Sequence, residues 1–302
     1  MLPTGSQHVA TPCRLFAHGW WTRDGQKMSK SIGNVVEPVG LVEEYGCDQV
    51  RYFMVNEVAF GSDGDFSDTQ MVNCINAKVL PRHVPRCAGA CTPRAPLPPN
   101  PSLLRLRAHA HLVTLCASQL ANELGNLLYR TLSFAYKHCE QQIPTPAELT
   151  AEDEAMLSAA AGLLPPLRTV VGDLQLHRYT QTVSAVVQAG NQYIDVQAPW
   201  ALRKTDPERM ATVLWVLMES LRYVGLAYQP VTPSISSGIL DQLGVPHDRR
   251  DFSYFSSDYA LVGGDTLPKP SIIIPRYESA EEKAAAAAAP PKKGKKKQAA
   301  AA

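Results

Sequence analysis

The stretch that decides how this chain folds is Lys27-Met28-Ser29-Lys30-Ser31-Ile32-Gly33-Asn34. It sets two lysines and two hydroxyls between Gly25 and Gly33. Just upstream, Arg14-Leu15-Phe16-Ala17-His18-Gly19-Trp20-Trp21 has the apolar run of a strand and leads into an Asp24-Gly25 turn. Downstream, Asn34-Val35-Val36-Glu37-Pro38 leads into a helix containing Tyr45-Gly46-Cys47-Asp48-Gln49-Val50-Arg51-Tyr52-Phe53. Gly61-Ser62-Asp63-Gly64-Asp65-Phe66-Ser67 reads as an acidic, Gly-rich turn. Residues 14–78 therefore read as mixed α/β sequence. A Lys/Ser-rich pentamer standing alone also suits a plain solvated loop; its strand and helix flanks weigh against that.

Beyond residue 78 the composition changes. Between Val79 and Ser118 stand Pro81, Pro85, Pro93, Pro96, Pro98, Pro99 and Pro101 among many Arg and His residues. Proline removes backbone donors and breaks helices, so most of 79–118 forms no regular core element. Residues 119–245 are helical in pattern. Leu120, Leu124, Leu127, Leu128, Leu132 and Ala135 form one stripe, on a helix of about 117–138. Leu176, Tyr179, Val183, Val186, Val187 and Ile194 form a second, which ends before Pro199. A third helix starts near Asp206-Pro207, a polar cap followed by proline in the first turn. It carries Val213, Leu214, Leu217, Leu221 and Val224, and Pro230 and Pro233 stop it. A short helix follows with Ile239, Leu240 and Leu243. Stripes separated by short breaks imply a helical bundle. Residues 246–279 make a C-terminal segment, and 280–302 an Ala- and Lys-rich low-complexity tail whose default reading is a solvated charge run.

Composition excludes little. The net charge of +1 does not announce a nucleic-acid binder, although a neutral protein can carry a local basic groove. No uninterrupted apolar stretch approaches a membrane span, so no membrane partner is expected. Residues 1–13 lack the features of a transit or signal peptide. The seven cysteines are scattered with no CxxC pair. Cys87 and Cys91 beside His83 lack a second ligand pair, so unpaired thiols are expected and no protein-bound metal.

Two further groups carry chemistry. Asn126 and Arg130, within Asn122-Glu123-Leu124-Gly125-Asn126-Leu127-Leu128-Tyr129-Arg130, stand four apart and share one helix face. An amide beside a guanidinium suits the edge of an unstacked base. Farther on, Asn191-Gln192-Tyr193-Ile194-Asp195 precedes Gln197-Ala198-Pro199-Trp200-Ala201-Leu202. The proline fixes the backbone and leaves Trp200 as a rigid stacking platform; base stacking on an aromatic is worth roughly 1–3 kcal/mol. Taken singly, each also suits a structural role: Asn126 bonded within the bundle, Arg130 paired with a carboxylate such as Glu123, Trp200 in the core.

The lysine string resembles the second signature of class I aminoacyl-tRNA synthetases, and the Asn126/Arg130 and Pro199/Trp200 pairs, in this order, resemble the methionyl-tRNA synthetase family. The resemblance covers roughly 14–78 and 119–245. It implies an α/β remnant, the end of a Rossmann-type catalytic domain with the lysine–serine loop, followed by a mainly α-helical anticodon-binding bundle. It implies that Lys27, Met28, Ser29, Lys30 and Ser31 close over ATP, with Lys30 in the main transition-state role and Lys27 supporting, and with Mg²⁺ accompanying the nucleotide. It implies that Asn126, Arg130, Pro199 and Trp200 read the CAU anticodon of tRNA(Met), with L-methionine as the other substrate of the ligase. The compact C-terminal segment is similar to that of the mitochondrial form, which places the protein in the mitochondrial matrix, with the cytoplasm as the alternative, and a monomer is favoured.

The family's His-Ile-Gly-His string and methionine pocket are absent from these residues. The expectation is that the chain alone does not aminoacylate and is a fragment or an incomplete gene model. In the family, Asn76-Ala77-Lys78 runs almost directly into the helix at 119, so 79–118 reads as translated non-coding sequence or as a flexible insertion. Two other function classes stay open: a non-catalytic tRNA-binding module, and a scaffold with Lys292 to Lys297 as an interaction arm.

Overall fold

The computed structural model describes residues 16–17, 19–59, 61–76 and 119–274. The readings placed on 1–13, on 79–118 with Cys87, Cys91 and His83, and on the tail 280–302 lie outside the described residues.

Strands β1 (Trp21–Arg23) and β2 (Gln26–Lys27) form a hairpin. Its turn residues Asp24 and Gly25 both have positive φ, 50° and 74°. A tight two-residue hairpin requires that backbone, and Asp-Gly is a sequence that takes it readily. Helices α1 (Pro38–Tyr45) and α2 (Cys47–Asn56) follow, then β3 (Gly64–Phe66) and α3 (Asp68–Asn76). Strand β3 pairs parallel with β1, Trp21 opposite Gly64 and Arg23 opposite Phe66, which gives the order β2-β1-β3.

Two expectations need correcting here. Gly61 to Ser67 is not only a turn, because three of its residues make β3; their partner lies across a helical crossover, where no local pattern shows it. The single helix expected through Tyr45 and Phe53 is two helices, since Gly46 between them sits at φ 95°.

The bundle begins with a π-helical stretch, Gln119–Gly125, that continues directly as α4 (Asn126–His138). Its stripe of Leu120, Leu124, Leu127, Leu128, Leu132 and Ala135 is buried throughout. Helices α5 (Ala151–Ala161) and α6 (Leu164–Gly172) come next, then α7 (Leu176–Gln197), α8 (Pro199–Thr205), α9 (Pro207–Tyr228) and α10 (Pro233–Gln242). Three single 3₁₀ turns follow, His247–Arg249, Phe252–Tyr254 and Ser257–Tyr259. Helix α9 is the axis, packed against α4, α5, α7, α8 and α10. Its start is capped as its sequence implies, the Asp206 side chain accepting the Arg209 amide at 2.9 Å.

Helix α9 is long and apolar enough by composition to cross a membrane, though Glu219 and Arg222 interrupt its apolar run, and it is almost wholly enclosed by its neighbours and serves as the core helix. Ala151–Gly172 has similar length and composition, but a turn at Gly162 and Leu163 divides it into α5 and α6.

Helix α2 ties the sheet to the bundle. Arg51 donates to the carbonyls of Pro230 at 2.7 Å and Val231 at 3.0 Å, between α9 and α10. Asp48 accepts the Ile235 amide at 2.6 Å, and Thr180 of α7 donates to Asn56 at 2.7 Å. At the far end, the buried Glu219–Arg222 pair fastens the C-terminal segment. Arg222 donates to the carbonyls of Tyr254 and Ser256, and Glu219 accepts the Leu261 amide, each at 3.0 Å. A charge pair this buried holds only because its remaining valences are also met. Cys47 and Cys139 are free thiols among the described residues.

Candidate functional site

The lysine loop is shaped from both ends. On the strand side, Asp65 of β3 accepts from the Thr22 hydroxyl at 2.7 Å and the Gly25 amide at 2.8 Å, so the third strand fastens the hairpin that presents Lys27. On the helix side, Asn34 clasps the loop. Its Oδ1 accepts the Ser29 amide at 2.8 Å and its Nδ2 donates to the Lys27 carbonyl at 3.2 Å. Between these anchors the backbone turns sharply, with the Gly33 amide donating to the carbonyl of Ser29 at 3.1 Å.

Met28 packs against the hydrophobic core, whereas Lys27, Lys30 and Ser31 are exposed. The Ser29 and Ser31 hydroxyls lie 2.7 Å apart, and Lys27 Nζ sits 4.8 Å over the Trp20 ring. The result is a braced loop with an apolar root and two ammonium groups facing solvent. Nothing local in the sequence marks Asn34 or Asp65; only the fold brings their side chains to the loop.

The second site lies where α4 meets the junction of α7 and α8. Gly190 lets the two long helices approach, since a Cβ there would lie 2.9 Å from Leu127. Asn191 donates to the Glu123 carbonyl at 3.2 Å, and Gln188 to the Glu123 carboxylate at 3.2 Å. With Glu123 so engaged, Arg130 takes a different carboxylate from the one considered above: its Nη2 donates to Asp195 at 2.9 Å.

Helix α7 then stops. Ala198 adopts a left-handed conformation at φ 42°, ψ 62°, and Pro199 opens α8 in a new direction. Pro199 is buried, so it sets the backbone, while Trp200 is 46% exposed and is not a core residue. The Arg130 guanidinium lies 5.5 Å from the centroid of the Trp200 ring. Asn126 is exposed one turn before Arg130. Arg130, Pro199 and Trp200 thus converge on one surface.

Magnitudes decide what the Arg130 contacts are for. An exposed ion pair contributes about 0–1 kcal/mol, and an exposed cation–π contact about 0.5–1 kcal/mol. Neither is a large stabiliser of the fold, and together they orient a guanidinium beside an open indole face. Positive charge continues along both helices: Lys137 and His138 on α4, Arg203 and Lys204 on α8, with Arg203 3.4 Å from the His138 ring nitrogen. Partial burial and the neighbouring cations Arg203 and Lys137 hold the His138 pKa below its ordinary value.

Beneath the junction lies a buried polar knot. The Asp153 side chain is fully enclosed and accepts from both arms of Arg209 and from the Tyr193 hydroxyl, with the Thr150 amide at 3.0 Å. Arg209 also donates to Gln197 at 3.0 Å, the last residue of α7. Burial would push the Asp153 carboxyl up; the hydrogen bonds from Arg209 and Tyr193 outweigh it and hold the pKa at about 2. Among the described residues no three His, Cys, Asp or Glu side chains converge as a metal site.

Comparison with known proteins agrees with this geometry. Residues 1–84 match the family of tRNA synthetases class I (M), and residues 143–286 match the anticodon binding domain of methionyl tRNA ligase. A methionine–tRNA ligase of Rhizobium meliloti (strain 1021) is 40% identical over 276 residues, covering 91% of this chain and 46% of the relative. One of Rickettsia felis is 35% identical over 273 residues, covering 89% and 45%. A solved Mycobacterium tuberculosis methionyl-tRNA synthetase, in complex with methionyl-adenylate, superposes with a TM-score of 0.71 at 35% identity, covering 89% of this chain and 45% of that one. The chain spans about half the length of the curated relatives it matches.

Proposed function

Because this chain belongs to the class I methionyl-tRNA synthetase family, matching the C-terminal portion of its members, we propose that it carries the anticodon-reading half of a methionine–tRNA ligase and the loop that closes over ATP. The whole protein would ligate L-methionine to tRNA(Met) through methionyl-adenylate. In that reaction Lys30, supported by Lys27, meets the charge that builds on the ATP phosphates. Donors set in advance at such a place are worth about 3–4 kcal/mol each. Asn34 clasps the loop and Met28 roots it in the core, which holds the backbone that presents both ammonium groups. Mg²⁺ would arrive with the nucleotide phosphates, and the described residues offer it no carboxylate cluster.

The observation that carries the anticodon reading is the Arg130 guanidinium set over the exposed Trp200 ring and held there by Asp195. A base unstacked from its loop finds an aromatic face, a planar cation and the Asn126 amide within one surface. Binding of the chain to tRNA with a CAU anticodon, compared with the same tRNA changed at the first anticodon base, tests this. Preference for CAU is expected, and equal binding to both would overturn it. The compact C-terminal segment supports a place in the mitochondrial matrix, with the cytoplasm as the alternative, and organelle fractionation can decide between them.

A further inference from the structure

The left-handed residue at the head of the platform is not a glycine. Ala198 holds φ 42° between α7 and α8, a conformation costly to any residue with a Cβ. Such strain survives only where surrounding contacts over-determine it. Gln197, immediately before Ala198, accepts from Arg209 Nη2 at 3.0 Å. Arg209 is itself fixed by both Asp153 oxygens on the first turn of α5, and its backbone amide is held by Asp206. Asp206 also closes α8, its amide donating to the Leu202 carbonyl at 2.8 Å. One guanidinium therefore ties the last residue of α7 and the first turns of α5 and α9 into one corner. Trp200 projects from that corner.

We propose that Gln197 and Arg209, anchored on buried Asp153, are positioning residues for anticodon reading: they fix the Ala198 junction and so aim the Trp200 ring at Arg130. The inference rests on the anticodon reading of Trp200. Neither Gln197 nor Arg209 touches RNA in this account; each acts through the direction it gives α8. Aim matters because a base gains from the Trp200 ring only when the two planes meet face to face.

Gln197 is the residue to change, because it lies at the edge of the knot and leaves the Asp153–Arg209 pair intact. Gln197→Met keeps the length and removes the acceptor. The full chain, the Gln197→Met variant and the Trp200→Ala variant are each titrated with anticodon stem-loop RNAs carrying CAU or a changed first base. In the same samples the Trp200 indole N–H resonance is followed by ¹⁵N NMR, assigned by its loss in Trp200→Ala.

Trp200→Ala is expected to lower CAU affinity about 5- to 150-fold, the range of one base stack. Gln197→Met is expected to lower the CAU preference severalfold, at unchanged melting temperature, with the Trp200 resonance shifted and that of Trp215 unmoved. Discrimination and Trp200 resonance at wild-type values in Gln197→Met, with discrimination lost in Trp200→Ala, would overturn the positioning role alone. Discrimination that survives Trp200→Ala would overturn the anticodon reading and this inference with it. Equal loss of melting temperature and preference in Gln197→Met would reduce Gln197 to a structural residue and also defeat the proposal.

Discussion

Arg130 and Trp200 stand on different helices, yet the guanidinium lies 5.5 Å over the indole and is held there by Asp195 at 2.9 Å. The pair exists because three separate devices agree. Gly190 lets α4 and α7 close, Asp195 turns Arg130 away from Glu123, and the Ala198–Pro199 junction turns α8 so that Trp200 leaves the core.

The polar knot below that junction gives an acid-sensitive stability. In the fold Asp153 has a pKa of about 2 against an ordinary 3.8, so folding favours its ionised form. Its contribution is therefore complete above about pH 4 and is lost as pH falls towards 2, an amount of roughly 2 kcal/mol. Urea titrations between pH 5 and pH 2 should show this limb, and Asp153→Asn should flatten it. Arg209→Leu leaves a buried carboxylate unpaired and should cost about 3–5 kcal/mol near neutral pH. An Arg209→Leu variant as stable as the parent would contradict the assignment.

The lysine loop should loosen when its clasp is cut. Asn34→Ala removes the acceptor of the Ser29 amide and the donor to the Lys27 carbonyl, contacts worth about 1 kcal/mol each. Hydrogen exchange at the Ser29 amide should then quicken about fivefold or more, with the bundle amides unchanged. Asn34→Asp keeps the acceptor only and should fall between. Unaltered exchange at Ser29 in Asn34→Ala would show that the loop is held by other means.

His138 reports the charge along α4 and α8. Its pKa lies below the ordinary value through partial burial first, then through Arg203 and Lys137. Arg203→Ala removes one cation 3.4 Å from the ring, so the pKa should rise, as followed by NMR of the ring protons. No movement would mean that burial and Lys137 set it without Arg203.

How much of this was legible in the sequence differs from element to element. Asp206-Pro207 announced α9, because a capping carboxylate and an N-terminal proline act locally. The stripes of α4 and α7 were legible for the same reason, their buried positions recurring at helical spacing. Helix α6 was not, since Pro165 and Pro166 fill its first turn and the short remainder shows no clear apolar stripe. Helix α5 was hidden by its alanines, which give little contrast between faces. Strand β3 was hidden because its pairing is made across α1 and α2.

At the candidate site, Arg130, Pro199 and Trp200 were singled out by their chemistry together with the family resemblance. The groups that hold them in place, Asp195, Gln197 and Arg209, were not. A partner chosen by packing leaves no mark on the local sequence. Sequence proximity offered Glu123 as the carboxylate for Arg130, and Asp195 takes that place only once α4 has settled against α7.

The most direct measurement is a double-mutant cycle of Arg130→Ala, Trp200→Ala and the double variant in the full chain, each titrated with a CAU stem-loop RNA. Both residues are exposed enough that the bundle should keep its melting temperature. If the two side chains form one base-reading platform, the double variant will lose less affinity than the two single losses together, with a coupling of about 0.5–3 kcal/mol. Losses that add to within about 0.3 kcal/mol, or single variants that bind CAU as the parent does, would contradict the account.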